Sequence, residues 1–227
     1  MSPADLQKIL KIQFKNLDFL NIALTHRSYL NEHPSYHLEH NERLEFLGDA
    51  VLELVVTDYL FRNYPNPEGE LTNWRAALVR GATLKEVATE LNLGQYLLLS
   101  KGEILSGGRE RELILANTVE ALIGAIYMDH GLSAASDFIH QYIIIRLPKI
   151  LDQHLYQDAK SRLQEKSQEK LNLTPTYYLV SQSGPDHAKQ FVMAVKIGDN
   201  EYGQGSGASK QEAEQNAAAE ALEKWAE

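Results

Sequence analysis

Between Asn41 and Val56 the chain reads NERLEFLGDAVLELVV, a stretch with helical spacing that carries carboxylates at Glu42, Glu45, Asp49 and Glu53. Each residue turns a helix by about 100°, so Asp49 and Glu53 fall within roughly 20° of Glu42, and Glu45 about 60° to one side. Leu44, Leu47, Val51, Leu54 and Val55 share the opposite side, the usual stripe turned to a core. Acids normally face water. Here, however, Phe46, Ala50, Leu52 and Val56 lie in the acidic half, so the helix is apolar nearly all round and burial is expected. Buried, unpaired carboxylates repel one another and their pKa values rise, unless a cation joins them.

A second stretch, ANTVEALIGAIYM, is apolar or glycine from Val119 to Met128 except for Glu120, with Asn117 one turn earlier on nearly the same side. Burying a lone carboxylate is costly. Either a guanidinium such as Arg75, Arg80 or Arg109 pairs with it, or it serves a site. Brought together, Glu45, Asp49, Asn117 and Glu120 make an all-oxygen ligand set, which favours magnesium, with manganese as substitute, over zinc. A di-iron site wants Glu-x-x-His pairs, and Glu120 is followed at that spacing by Ile123. His33, His37 and His40 sit close together in a polar, proline-containing stretch that reads as a solvated loop rather than a zinc site.

With no cysteine in the 227 residues, disulfides, thiolate metal sites and cysteine nucleophiles are excluded. A net charge of −9 argues against a protein that binds nucleic acid by bulk charge, though a local basic stripe survives such a sum. The opening MSPADLQKIL lacks the basic-then-apolar layout of a secretory signal, and YIIIRLP is interrupted by Arg146. The expectation is a cytoplasmic protein without a membrane span.

Helical patterns run through LDFLNIALTHRSYL, AVLELVVTDYLF, LTNWRAALVRGATLKEVATEL and ANTVEALIGAIYMDHG, and Asp129-His130-Gly131 looks like a helix exit. From about Ala159 the texture changes: a polar-faced helix, three strand-like runs ending in glycines, and an alanine-rich final helix. The expected architecture is therefore an all-α domain at 1–148, a connection at 149–157, and a small α+β domain of order α-β-β-β-α at 158–227.

The stretch HNERLEFLGDAVL closely resembles the signature of ribonuclease III. The resemblance extends through LTHRSYLNE, EGELTNWRAALVRGATL and ANTVEALIGAIYMDHG, and the C-terminal part is similar to a double-stranded-RNA-binding domain. What the resemblance implies is a homodimeric, magnesium-dependent endonuclease that cuts double-stranded RNA to 5′-phosphate and 3′-hydroxyl ends, in rRNA or mRNA precursor processing. Glu45, Asp49, Asn117 and Glu120 fall on its metal positions, with Asp49 and Glu120 catalytic. Glu42 and Glu68 fall on the outer acidic positions of the cleft, and Phe46 matches the aromatic that packs into the partner subunit. The family pattern ordinarily has Asp at position 117. An amide oxygen still coordinates magnesium but adds no charge, so a working, more metal-demanding enzyme is expected. The alternative is a noncatalytic RNA-binding protein of the same fold.

Double-stranded RNA is gripped largely by shape, by a helix and a loop in successive minor grooves with basic residues on the phosphates between them. By the same resemblance, Ser161 and Gln164 face a groove, His187 lies in the loop entering the next, and Lys210 opens the last helix, whose N-terminus favours phosphate. Glu212 stands in what is usually a basic run, so weak and salt-sensitive binding is expected, with Lys101, Arg109 and Arg111 as possible helpers from the first domain.

Overall fold

The structure, a computed structural model, describes residues 2–156, 158–185 and 189–225. The chain divides into two units, Met1–Tyr156 and Gln157–Glu227. The first is helical: α1 (Pro3–Leu10), α2 (Leu17–Ala23), α3 (Arg27–Glu32), α4 (Glu42–Asn63), α5 (Glu68–Val79), α6 (Gly81–Glu90), α7 (Lys101–Leu105), α8 (Glu112–His130), α9 (Leu132–Tyr142) and α10 (Leu147–Asp152). Its centre is α8, buried without a break from Ala121 to Ile126, and α2, α4, α6 and α9 pack around it.

Two stretches with continuous helical spacing are broken. At Thr25 the chain leaves α2 and forms a parallel bridge with Leu98, flanked by His26 N–H to Leu98 O at 3.0 Å and Leu98 N–H to Leu24 O at 2.9 Å. At Arg80 the backbone is extended (φ −63°, ψ 152°), which separates α5 from α6. The stretch expected as a connection from 149 begins inside α10, because Leu147 and Ile150 are buried in the core and α10 packs on α5.

The helix exit at Asp129-His130-Gly131 is real: α8 stops at His130, and Gly131 has φ +81°. Asp129 does more than mark it. Its carboxylate, 3% exposed, accepts the backbone N–H groups of Lys15 at 2.7 Å and Asn16 at 2.9 Å, and lies 3.0 Å from His130 Nε2. The loop ahead of α2 is thereby tied to the end of α8.

The second unit has the expected order: α11 (Ala159–Leu171), an antiparallel sheet β1-β2-β3 (Thr176–Ser183, Gln190–Ile197, Asn200–Gly207), then α12 (Lys210–Lys224). Leu163, Val195, Ile197, Ala217, Ala218 and Ala221 form its small core. The glycines of β3 explain the closeness of α12: a Cβ on Gly205 would stand 2.2 Å from Ala217 N.

Burial pushes the Asp129 carboxyl up, but the two backbone N–H groups and His130 outweigh it and hold its pKa below the ordinary aspartate range. Its contribution is therefore present at neutral pH and lost only as pH falls through that lowered value. Asp129→Ala is expected to destabilise the protein by about 1–3 kcal/mol at pH 7. In urea unfolding the gap to wild type should shrink toward pH 3; a gap that stays constant would count against this assignment.

Candidate active site

The two longest helices touch backbone to backbone. A Cβ added to Gly48 would lie 1.8 Å from Glu120 O, and one added to Gly124 would lie 2.2 Å from Leu44 O. No side chain fits at either point, so α4 and α8 cross where Gly48 meets the main chain of Glu120. Glu45 and Asp49 flank Gly48 on the same helix, and by helical spacing they continue the ridge formed further along by Leu52 and Val56, both 0% exposed. The ridge that packs on α8 thus changes from apolar to acidic as it reaches Glu120.

This differs from the helical-wheel expectation. Gly48, Leu52 and Val56 are buried alongside Leu44, Val51 and Val55, while Leu54, expected in the core, is 58% exposed. Phe46 and Phe61 are 81% and 78% exposed, and Ala50 also faces solvent. The helix is apolar on two sides, but only one of them meets its own core. Asp49 is consequently exposed, and Glu45 and Glu120 are half-buried.

Burial, and after it the charges of Asp49 and Glu45, pushes the Glu120 carboxyl up to about 7. Burial also raises Glu45, helped by the charges of Glu42 and Asp49 and opposed by a hydrogen bond from the Asn117 side chain. The outer acids of α4 are neutralised: Glu42 by Arg27 at 3.4 Å, and Glu53 by Arg75 at 3.0 Å. Among the described residues no lysine or arginine pairs with Glu45, Asp49 or Glu120. The guanidiniums that could have neutralised Glu120 are engaged elsewhere, Arg75 on Glu53, Arg80 on Leu155 O, and Arg109 on Gly94 O and Leu97 O.

Among the described residues no three His, Asp or Glu side chains stand close enough, as placed, to hold a metal ion between them. Glu45, Asp49 and Glu120 nevertheless gather at one crossing, close enough for their charges to act on one another. The donor set is carboxylate and amide oxygen, which fits a hard divalent cation.

The other expected residues are dispersed. Glu68 lies in the first turn of α5, accepts the Thr72 hydroxyl at 3.0 Å, and lines a groove with Phe61 and Tyr64. His33 stacks on Tyr29, with ring centroids 3.9 Å apart, in an exposed loop. In the second unit Ser161, Gln164 and Lys210 are all exposed, although the Ser161 hydroxyl also donates to Asp158 at 3.0 Å. His187 lies outside the described residues. Glu212 is a cap: its carboxylate accepts Ala208 N–H at 2.7 Å while its own N–H donates to Ser209 Oγ at 3.1 Å. Arg109 is held internally and Arg111 pairs with Glu103, which leaves Lys101 as the exposed helper. Sequence reasoning passed over Gly48 and Gly124; the signal available was a glycine on each helix at the level of the acids.

Residues 16–147 match the model for a ribonuclease-III-like domain, and residues 159–225 the double-stranded RNA binding motif. The chain belongs to the ribonuclease III family. Ribonuclease 3 of Clostridium tetani is 46% identical over 224 residues, 98% of this chain and 94% of that protein. Ribonuclease 3 of Carboxydothermus hydrogenoformans is 49% identical over 220 residues, 96% and 93% respectively. A solved nuclease domain of ribonuclease III from Campylobacter jejuni superposes with a TM-score of 0.60 at 40% identity, covering 65% of this chain and 99% of that one. Nothing favours the noncatalytic alternative.

The raised Glu120 pKa carries a stability consequence for the metal-free protein. The neutral acid suits the folded state, so stability falls as pH rises from the ordinary glutamate range to about 7 and is level above it. Glutamine is neutral throughout. Glu120→Gln should therefore stabilise the metal-free protein by about 1–2 kcal/mol at pH 8, allowing for the water that still reaches the group. That is roughly 2–8 °C in Tm, shrinking toward pH 5. A Tm difference independent of pH would refute it.

Proposed function

We propose that this endoribonuclease hydrolyses both strands of double-stranded RNA in a magnesium-dependent reaction, leaving 5′-phosphate and 3′-hydroxyl ends, and acts as a cytoplasmic homodimer in rRNA and mRNA precursor processing. The observation that carries the reading is the group of unpaired carboxylates, Glu45, Asp49 and Glu120, at the crossing of α4 and α8. Their oxygens and that of Asn117 would hold the cation, with manganese as a substitute. When bound, the cation eases ionisation of the attacking water and stabilises charge on the leaving 3′-oxygen.

The protein's own contribution is to fix these oxygens and keep cationic side chains from occupying them. Asp49 and Glu120 carry the catalytic role, Asp49 from the exposed side and Glu120 from the buried side. Among the described residues no helix is long and apolar enough to cross a membrane. A second copy supplies the cover for the outward apolar face of α4, where Phe46, Leu54 and Phe61 are exposed; burying large apolar side chains is the usual basis of a stable homodimer. Glu42 borders Glu45, while Glu68 lies in the groove beside Phe61 and belongs to the surface that a second copy would meet. The solved Campylobacter jejuni domain is described as having a region involved in dimer formation.

The test is incubation with long double-stranded and single-stranded RNA in Mg²⁺ or EDTA. Selective, EDTA-sensitive cutting of the duplex is expected, and Glu120→Gln should reduce it more than about a hundredfold while duplex binding persists. Cutting in EDTA, or equal cutting of single strands, would overturn the reading.

Asn117 sets the metal requirement. Restoring a carboxylate with Asn117→Asp should lower the Mg²⁺ concentration for half-maximal cleavage by roughly 3–10-fold, the scale of about 1 kcal/mol in cation affinity. Equal half-saturation would remove the idea.

A further inference from the structure

The segment LTHRSYLNE is an anchored strip of chain. The Thr25 hydroxyl donates to Asn21 O at 2.7 Å, and the His26 ring accepts Ser28 N–H at 3.2 Å to cap α3. The Ser28 hydroxyl accepts Ser100 N–H at 3.1 Å, and the Glu32 carboxylate accepts Lys101 N–H at 3.0 Å. The backbone of 24–26 is bonded to Leu98 as well. Each of these side chains holds the main chain in place.

Arg27 does something else. Its side chain is 70% exposed and reaches Glu42, itself 46% exposed, at 3.4 Å. Glu42 is close enough to Glu45 for its charge to act there, so the guanidinium stands one residue from the unpaired carboxylates. Among the described residues it is the one guanidinium in contact with the acids at 42, 45, 49 and 120. Arg75, at the far end of the acidic row, is held by both Glu53 and the Thr57 hydroxyl.

A duplex approaching this row brings phosphates toward carboxylates, an unfavourable encounter that a neighbouring cation relieves. An exposed ion pair is worth little, so Glu42 gives up Arg27 readily. A phosphate offers the guanidinium two parallel, charge-assisted hydrogen bonds. We propose that Arg27 is a phosphate-binding residue of the nuclease unit, parked on Glu42 in the free protein and transferred to the RNA backbone beside the cleavage site when duplex docks. The proposal rests on the double-stranded-RNA reading above. It gives the first unit a backbone-binding cation of its own.

The experiment measures duplex binding by fluorescence anisotropy at several KCl concentrations, using the full chain with Glu120→Gln to prevent cutting. Adding Arg27→Gln should weaken binding by about 3–10-fold and reduce the slope of log K against log [salt] by about one, since one phosphate contact is lost. Arg27→Lys should retain the slope, and Glu42→Gln should tighten binding by freeing the guanidinium. Thermal melts check that each variant folds; should Arg27→Gln not fold, the lysine and Glu42→Gln arms decide. Unchanged affinity and slope in Arg27→Gln, a lysine variant as impaired as the glutamine one, or no gain from Glu42→Gln would overturn the proposal. If the parent fails to prefer duplex over single strand, the functional reading itself fails, and that outcome is visible before any Arg27 variant is compared.

Discussion

The contact of Gly48 with the main chain of Glu120, and of Gly124 with that of Leu44, is the constraint from which the nuclease unit follows. Helices with ordinary side chains at their contact keep their axes about 8–10 Å apart. Removing the side chain on both sides lets the backbones touch and brings residues on either side of the glycines within electrostatic reach. Even a methyl group at position 48 would collide with main-chain atoms that have no rotamer to change. The glycine and the acids beside it therefore form one device: the glycine sets the approach, and the approach makes the acids interact.

That approach has an electrostatic cost that the protein leaves uncompensated. It neutralises the ends of the acidic row with Arg27 and Arg75 but, among the described residues, puts no guanidinium against Glu45, Asp49 or Glu120. A structural ion-pair network would have distributed its cations evenly. Strain concentrated in the middle of the row, and felt most by Glu120, is instead the condition for a strong response to an added cation. Asn117 moderates it, since an amide beside Glu45 donates a hydrogen bond where an aspartate would add a fourth charge.

Much of this was legible in the sequence because helical geometry is local. The spacing of Glu45, Asp49, Asn117 and Glu120 follows from 3.6 residues per turn, and an isolated glutamate in an apolar run is conspicuous without coordinates. What was not legible depended on something outside the helix. Periodicity reports that Leu54, Phe46 and Phe61 are apolar, but not that they face away from the chain's own core. The breaks at Thr25 and Arg80 arise from pairing with Leu98 and from an extended residue, and neither has a local signal strong enough to overrule helical spacing. Glu212 stands where the family resemblance leads one to expect a basic run, whereas its carboxylate closes the N-terminus of α12.

The second unit shows how binding and chemistry are divided. Several of its cations are already occupied: Lys160 on Glu214, Lys224 on Glu220, Lys166 and Lys170 near the Trp225 ring, and Lys196 over Tyr178. The two ion pairs take Lys160 and Lys224 away from a polyanion, while the lysines over aromatic rings keep their charge. What the unit adds is geometry: glycines that seat α12 against β3, and Ser161 and Gln164 on an exposed face of α11. On the reading proposed above, a module of this kind reads the width of a groove, and groups of the nuclease unit add affinity near the scissile bond. An exchangeable cation beside an acidic row would supply that affinity without neutralising the carboxylates proposed to hold the metal.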